Sequence, residues 1–329
     1  MKTAERANRS KILITGCSGY VGRQLAALLS AKGYDVTGTC RSDFDLDGID
    51  VRRGVLTNSE FVTDILSDRD IVIHAAALTR SKDPAELRES NESVTSLLLD
   101  GVASSSVKRV IFLSTDQAVN GVGPYGESKQ NCETIVREKA KDYAILRLTP
   151  VIGEFAPTQN STFSKVISKI LNGSIFVMPG DGDFPIAPIG IKDIANAIDL
   201  LIMKEDHLDK TYGLCGEPST FLSFVNQVEE TVGLRRWKVP LPIGPIKKAA
   251  GLLKRLPGSG KLPLDSILNI GQPIPVDTQD LGRDTGFKPT PLSEIIGSMP
   301  GLPVPSRLSV SWRRTTPNGR QNRIDGWTN

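Results

Sequence analysis

Residues 11–33 read KILITGCSGYVGRQLAALLSAKG, and the way this stretch folds decides the reading of everything after it. KILIT is a short run rich in β-branched residues that a glycine brings to an end. Beyond it Val21, Leu25, Leu28 and Leu29 recur at helical spacing, and Gly33 is placed to stop that helix. Between strand and helix lies Gly16-x-x-Gly19-x-x-Gly22. One glycine there permits the tight turn, one lets a pyrophosphate approach the backbone, and one lets the helix pack closely on the strand. Free N–H groups at the helix start then meet the phosphate charge. Gly16, Ser18, Gly19, Tyr20, Val21 and Gly22 are therefore the candidate cofactor contacts of this turn.

The alternation continues. YDVTGTCR (34–41) and DIVIHAAA (70–77) read as strands, followed by a helix around 91–103 and the strand VKRVIFLST (107–115). A helix from about 124 to 140 and the strand YAILRLTP (143–150) come next. Strands alternating with helices of this length predict parallel βαβ units with right-handed crossovers, an α/β fold with a doubly wound sheet. The expected organisation is a flexible lead (1–10), a dinucleotide-binding domain (11–153), a mainly substrate-binding region (154–302) and a disordered proline- and arginine-rich tail (303–329). Segments near 186–203 and 211–216, which hold IGIKDIANAIDLLI and TYGLCG, are expected to return to the first domain.

Bulk properties narrow the class. The chain has 329 residues, 39% hydrophobic and 23% charged, enough for a sizeable core. A net charge of +3 does not point to nucleic acid. Four cysteines lie far apart without a C-x-x-C, and only two histidines exist, which argues against a metal site or a disulfide framework. No apolar run reaches the ~18 residues of a membrane span, and the polar start has no signal-like core, so the cytoplasm is the expected location.

STDQAVNGVGPYGESK, residues 114–129, carries the candidate chemistry. Tyr125 and Lys129 are four apart and share a face of a helix. An ammonium beside a phenol stabilises the phenolate and lowers its pKa toward working pH. Thr115, at a strand end, can bind the same substrate oxygen. The alternative is a surface Tyr/Lys pair on a helix without a chemical role.

In combination these motifs resemble the extended short-chain dehydrogenase/reductases, also called the NAD-dependent epimerase/dehydratase family. TGCSGYVG resembles the family's glycine turn, and HAAALT its strand end along the cofactor, which implies contacts from Ala75, Ala76 and Ala77. Asn91 falls where the family often has an asparagine opening the following helix. FLST with YGESK resembles the hydroxyl plus Tyr-x-x-x-Lys site, and LRLTPVIGE the strand beside the nicotinamide, implicating Pro150 and Val151. STDQAVNG is similar to the corresponding run of sugar-nucleotide 4-keto reductases, which implies Thr115 as the hydroxyl partner and Asp116 and Gln117 at the substrate. The resemblance implies NAD or NADP as cofactor, a nucleotide sugar as substrate, and 4-epimerisation or 4-keto reduction as the reaction. Tyr125 would be acid and base, and Lys129 would hold the cofactor ribose. A reductase of a non-sugar ketone would use the same residues. A non-catalytic dinucleotide-binding subunit is the third reading, and retention of the Tyr/Lys pair argues against it. A homodimer is compatible with the family.

The chain also departs from the family pattern. Only VNGVGP separates the STDQA segment from Tyr125, a gap about half the family's length, so the pocket is either more open or closed by another segment. Cys40 and Arg41 stand where an acidic residue often binds the ribose, and an arginine there suits a 2′-phosphate. Val55 replaces an aspartate common near the adenine. DFPIAPIGIKD (183–193) lacks the arginine that often holds a sugar nucleotide's diphosphate. In the second half NSTFSKVISKILNGS predicts a helix with Phe163, Val166, Ile167, Ile170 and Leu171 on one face, and Asn160 as nucleotide contact or N-cap. Residues 235–261 carry eight Lys/Arg and no acid. They read as a solvated face, as a diphosphate rim built on Arg235 and Arg236, or as a contact for an anionic membrane surface.

Overall fold

A computed structural model describes residues 10–81, 83–155, 161–253 and 268–303. Asn160, most of the lead and the tail from 304 onward lie outside the described residues.

Seven parallel strands form the central sheet: β1 (Lys11–Thr15), β2 (Asp35–Cys40), β3 (Asp50–Arg53), β4 (Ile71–His74), β5 (Arg109–Thr115), β6 (Tyr143–Leu148) and, much later, β11 (Lys210–Leu214). Their order is β11-β6-β5-β4-β1-β2-β3. Every residue of β4 and β5 is buried, as a sheet covered on both faces requires. Alternate side chains sort to opposite faces: Ile12, Ile14, Ile71, Ile73, Ile111 and Leu113 enter one core cluster, and Leu13, Val72, Val110 and Phe112 the other.

The helices that cover the sheet are α1 (Tyr20–Ala31), α2 (Ser59–Leu66), α3 (Pro84–Ala103) and α4 (Gly123–Lys139). β3 and α2 were not legible in sequence; β3 (DVRR) is a polar edge strand with no hydrophobic alternation to mark it. α3 starts two turns before the expected residue 91. Asp83 caps it by accepting from Ala85 N at 2.8 Å, and Pro84 occupies its first turn.

β7 (Val151–Ile152), α5 (Thr162–Asn172), β8 (Ile175–Pro179), β9 (Pro185–Ile186), β10 (Ile189–Gly190) and α6 (Ile191–Met203) follow. After β11 come β12 (Ser219–Thr220), α7 (Phe221–Val232), β13 (Trp237–Leu241), α8 (Ile243–Leu253), α9 (Gln279–Thr285) and α10 (Leu292–Gly297). α5, β8, α7 and α10 enclose a separate core around Phe163, Ile167, Phe176, Phe224 and Ile296. α6, β11 and α9 instead contribute Ile194, Ile198, Tyr212, Leu214 and Leu281 to the first core. The chain therefore crosses between the two cores more than once, and the return of α9 had no sequence signal. Ser161, not Asn160, caps α5 by accepting from Ser164 N.

Candidate active site

Strand order reverses between β1 and β4, and a sheet of this kind binds ligands in the crevice at the carboxyl ends of its strands at that point. The two loops leaving β1 and β4 meet there. Gly16 has φ +75°, and a Cβ on it would lie 2.7 Å from Ala76 Cα. A Cβ on Gly22 would lie 2.3 Å from Gly16 O, so this glycine sets how closely α1 approaches the turn. Gly19 caps α1 without a side-chain hydrogen bond, and the first turn carries no acid. The helix start thus presents N–H groups and partial positive charge that no acid of its own first turn meets, which fits a dinucleotide pyrophosphate. Ser18 and Gly19 are exposed, and Tyr20 and Val21 half-buried. The Tyr20 hydroxyl accepts from Gly153 N at 2.8 Å, fixing the end of β7 to α1.

A buried polar relay joins this turn to the next loops. Thr15 Oγ1 accepts from Ala76 N at 3.1 Å and donates to His74 Nδ1 at 2.7 Å. His74 Nε2 donates to Thr95 Oγ1 at 3.1 Å, and that hydroxyl donates to Asn91 O at 2.8 Å. These partners call for a neutral imidazole; burial, aided by the charge of Lys129, lowers the His74 pKa to about 3. Asn91 lies within α3 rather than at its start. Its amide holds both backbone groups of Leu78 at 2.7 and 3.0 Å, and also donates to Ser128 Oγ at 3.0 Å. It therefore ties the loop carrying Ala75, Ala76 and Ala77 to α4.

α4 carries the candidate chemistry. The short connection is a single 3-10 turn, Asp116–Val119, capped by Thr115, whose Oγ1 accepts from Gln117 N. Gly121 and Gly123 take φ +57° and +69° to bring the chain into α4. A Cβ on Gly126 would lie 2.8 Å from Gln117 O, so the helix packs directly on the turn. Thr115, Asp116, Gln117 and Tyr125 are thereby brought together. The Thr115 hydroxyl donates to Asp116 Oδ1 at 3.0 Å, and burial raises the Asp116 pKa.

The expected lowering of the Tyr125 pKa is not what the structure shows. Burial, with the charges of Cys132 and Asp116, pushes this phenol up. Lys129 is 2% exposed, and its Nζ lies 3.8 Å from the centre of the Phe112 ring. Among the described residues no protein group hydrogen-bonds that ammonium. Burial lowers its pKa to about 8, against the opposing pull of Cys132 and Glu133.

One turn further, Glu133 is fully buried and well partnered. It accepts from Ser114 Oγ at 2.7 Å, from Arg147 at 2.9 and 2.6 Å, and from Arg137 at 2.8 Å. Burial alone would raise its pKa, but hydrogen bonds from Arg147 and Ser114 hold it below the usual range. Phe112, Ser128, Glu133 and Arg147 were missed in sequence. The repeat Tyr125, Lys129, Glu133 at intervals of four was the available signal.

The remaining candidates are dispersed. Arg41 is exposed just beyond β2, while the neighbouring Asp43 pairs with Arg53. Pro150 follows β6, accepts from Ile189 N at 3.1 Å, and leads into Val151 of β7. Arg236 donates to the carbonyls of Ile170 and Leu171 at 2.7 and 2.8 Å, closing the C-terminal end of α5. An 11-residue helix is about 16 Å long, so Arg236 lies about that far from the start of α5. Lys238 pairs with buried Glu229, and Arg235 is exposed. Asp142, His207 and Asp209 could approach a common metal ion, but Asp142 is held by Arg109 at the opposite end of β5.

Comparison with known proteins agrees with this geometry. Residues 12–215 match the model of the NAD dependent epimerase/dehydratase family. Sterol demethylase protein B of Methylococcus capsulatus is 26% identical over 261 residues, covering 70% of this chain and 77% of the relative. UDP-glucose 4-epimerase of Vibrio cholerae is 25% identical over 276 residues, covering 74% and 82%. The structure of UDP-glucuronic acid 4-epimerase from Bacillus cereus, solved with UDP-glucuronic acid and NAD, superposes with a TM-score of 0.68 at 21% identity, covering 87% of this chain and 96% of that one. At that identity the likeness shows the fold.

Proposed function

The chain belongs to the NAD-dependent epimerase/dehydratase family, and from that premise we propose that it is an NAD(P)-dependent enzyme that epimerises or reduces a nucleotide sugar at a carbinol or carbonyl carbon. The observation that carries this reading is the packing of α4, with Tyr125 and Lys129, on β5 and on the 3-10 turn that Thr115 caps, in the sheet whose first strand leads into the glycine turn. The names of the relatives, several of which act on UDP-sugars, support the substrate class.

A bound nicotinamide would supply the hydride chemistry. Gly16, Gly19 and Gly22, with the α1 N–H groups, would hold its pyrophosphate, and Ala75 to Ala77 would line the strand end. Lys129 offers three donors that no described protein group takes, which suits the hydroxyls of a ribose. Thr115 orients the substrate oxygen. Burial keeps Tyr125 protonated, so it enters as the acid of a carbonyl reduction. In the opposite direction it must release that proton, which burial opposes.

A second reading is reduction of an apolar ketone. DFPIAP, the stretch immediately before β10, has no arginine, Arg236 is engaged by α5, and one relative is named for sterol demethylation. One experiment separates the two. Purified protein is denatured and the released nucleotides are identified by mass spectrometry, followed by turnover assays with UDP-sugars and with a 3-ketosteroid. A UDP-sugar released or turned over supports the proposal; turnover of the ketosteroid alone refutes it. Arg41→Ala should weaken NADP more than NAD, by about 1–3 kcal/mol for a lost charged hydrogen bond. Equal loss would remove Arg41 from the cofactor site.

A further inference from the structure

We propose that the outer face of the β8/β13 pair docks on an anionic lipid bilayer. The two strands are parallel, with Trp237 opposite Ile175, Val239 opposite Val177 and Leu241 opposite Pro179. Directly opposed residues share a face. The inner face carries Phe176 and Met178 into the second core, and Lys238 reaches Glu229 on α7. The outer face is bare: Trp237 is 82% exposed, Ile175 60% and Val177 57%, with Val239 and Leu241 nearly half exposed. Five large apolar side chains on one small sheet form a contiguous patch of the kind that marks an interaction site.

Charge selects the occupant. Arg235 is exposed two residues before Trp237. The next element, α8, places Lys247 and Lys248 one turn before the exposed Leu252 and Leu253. Between 235 and 261 the sequence contains no acid. The acids nearest in sequence to β8, Asp181 and Asp183, follow the strand at the end of the pair away from Trp237 and Arg235. An apolar face led by a tryptophan, preceded in the chain by an exposed arginine and followed by a helix with two lysines, suits insertion at the headgroup boundary of an anionic membrane. An apolar protein partner would leave those cations unmatched.

The test uses the full chain with Trp312→Phe and Trp327→Phe, so that Trp237 is the sole tryptophan. It is mixed with vesicles of phosphatidylcholine alone or with 30 mol% phosphatidylglycerol (about one lipid in three, to give the surface potential on which such binding depends). The expected result is co-sedimentation with the anionic vesicles, a blue shift of Trp237 emission, and weaker binding as salt rises. In the wild-type background, Trp237→Ser with Val239→Ser should lower partitioning roughly tenfold or more, with thermal stability and turnover in solution unchanged. Lys247→Glu with Lys248→Glu should weaken binding to anionic vesicles by a similar factor. Absence of wild-type binding would overturn the proposal, as would equal binding by the Trp237/Val239 variant. A dimer in sedimentation that this variant dissociates, without vesicle binding, would assign the face to a second copy instead and equally overturn it.

Discussion

Two successive turns of α4 treat buried charge in opposite ways. Glu133 receives hydrogen bonds from Ser114, Arg137 and Arg147, and its pKa is held down. Lys129, one turn earlier and almost as deeply buried, has among the described residues the face of Phe112 but no hydrogen-bond partner, and its pKa is pulled down to about 8. The first arrangement locks helix to sheet. The second leaves donors that no described protein group takes, at the residue to which the proposed function gives a ligand. On that proposal the same helix separates structural work from chemical work by a single turn.

The largest expected effect tests the structural turn. Glu133→Ala leaves two arginines without their carboxylate and should destabilise the protein by about 3–5 kcal/mol in urea unfolding. A loss under about 1 kcal/mol would mean that water replaces the network at little cost, and the contrast with Lys129 would disappear. Next is the chemical turn. Tyr125→Phe should reduce turnover roughly 10²-fold or more while dinucleotide affinity and melting temperature stay constant. A comparable loss of stability would show that Tyr125 is a packing residue.

Lys129 distinguishes the two turns by pH. Its folded pKa of about 8 lies below the ordinary 10.5, so between those values the unfolded chain binds more protons than the folded one. Stability of the free protein should therefore rise with pH from about 8 to 10.5, the burial penalty being fully present below 8. Lys129→Met should remove that rise and stabilise the free protein at pH 7 by about 3 kcal/mol, while abolishing turnover. A Lys129→Met protein that is less stable at pH 7 would show that the Phe112 contact outweighs desolvation. The smallest effect concerns Thr115→Val. It removes an orienting hydroxyl and the cap of the 3-10 turn, and should lower turnover roughly tenfold. A loss exceeding that of Tyr125→Phe would reverse the roles assigned to the two residues.

Much of this protein is written locally. The KILIT run, the three glycines and the helical spacing after them determine β1, its turn and α1, because each depends on side chains within a few residues. The parallel alternation and the Tyr125/Lys129 pair follow from the same short-range periodicity. β3 and the first two turns of α3 escaped because polar segments carry no period, and their conformation is set by the sheet edge and by the Asp83 cap.

What only the tertiary structure decided concerns electrostatics and partners distant in the chain. Whether Lys129 faces Tyr125 or Phe112 depends on how α4 lies over β5, and that depth of burial reversed the expected direction of the Tyr125 shift. The cluster of basic residues at 235–238 looked uniform in sequence. Folding turned Arg236 toward the carbonyls of α5 and Lys238 toward Glu229, and left Arg235 outside beside Trp237. A charge in sequence has only a sign; its role depends on what the fold brings within hydrogen-bond reach of it.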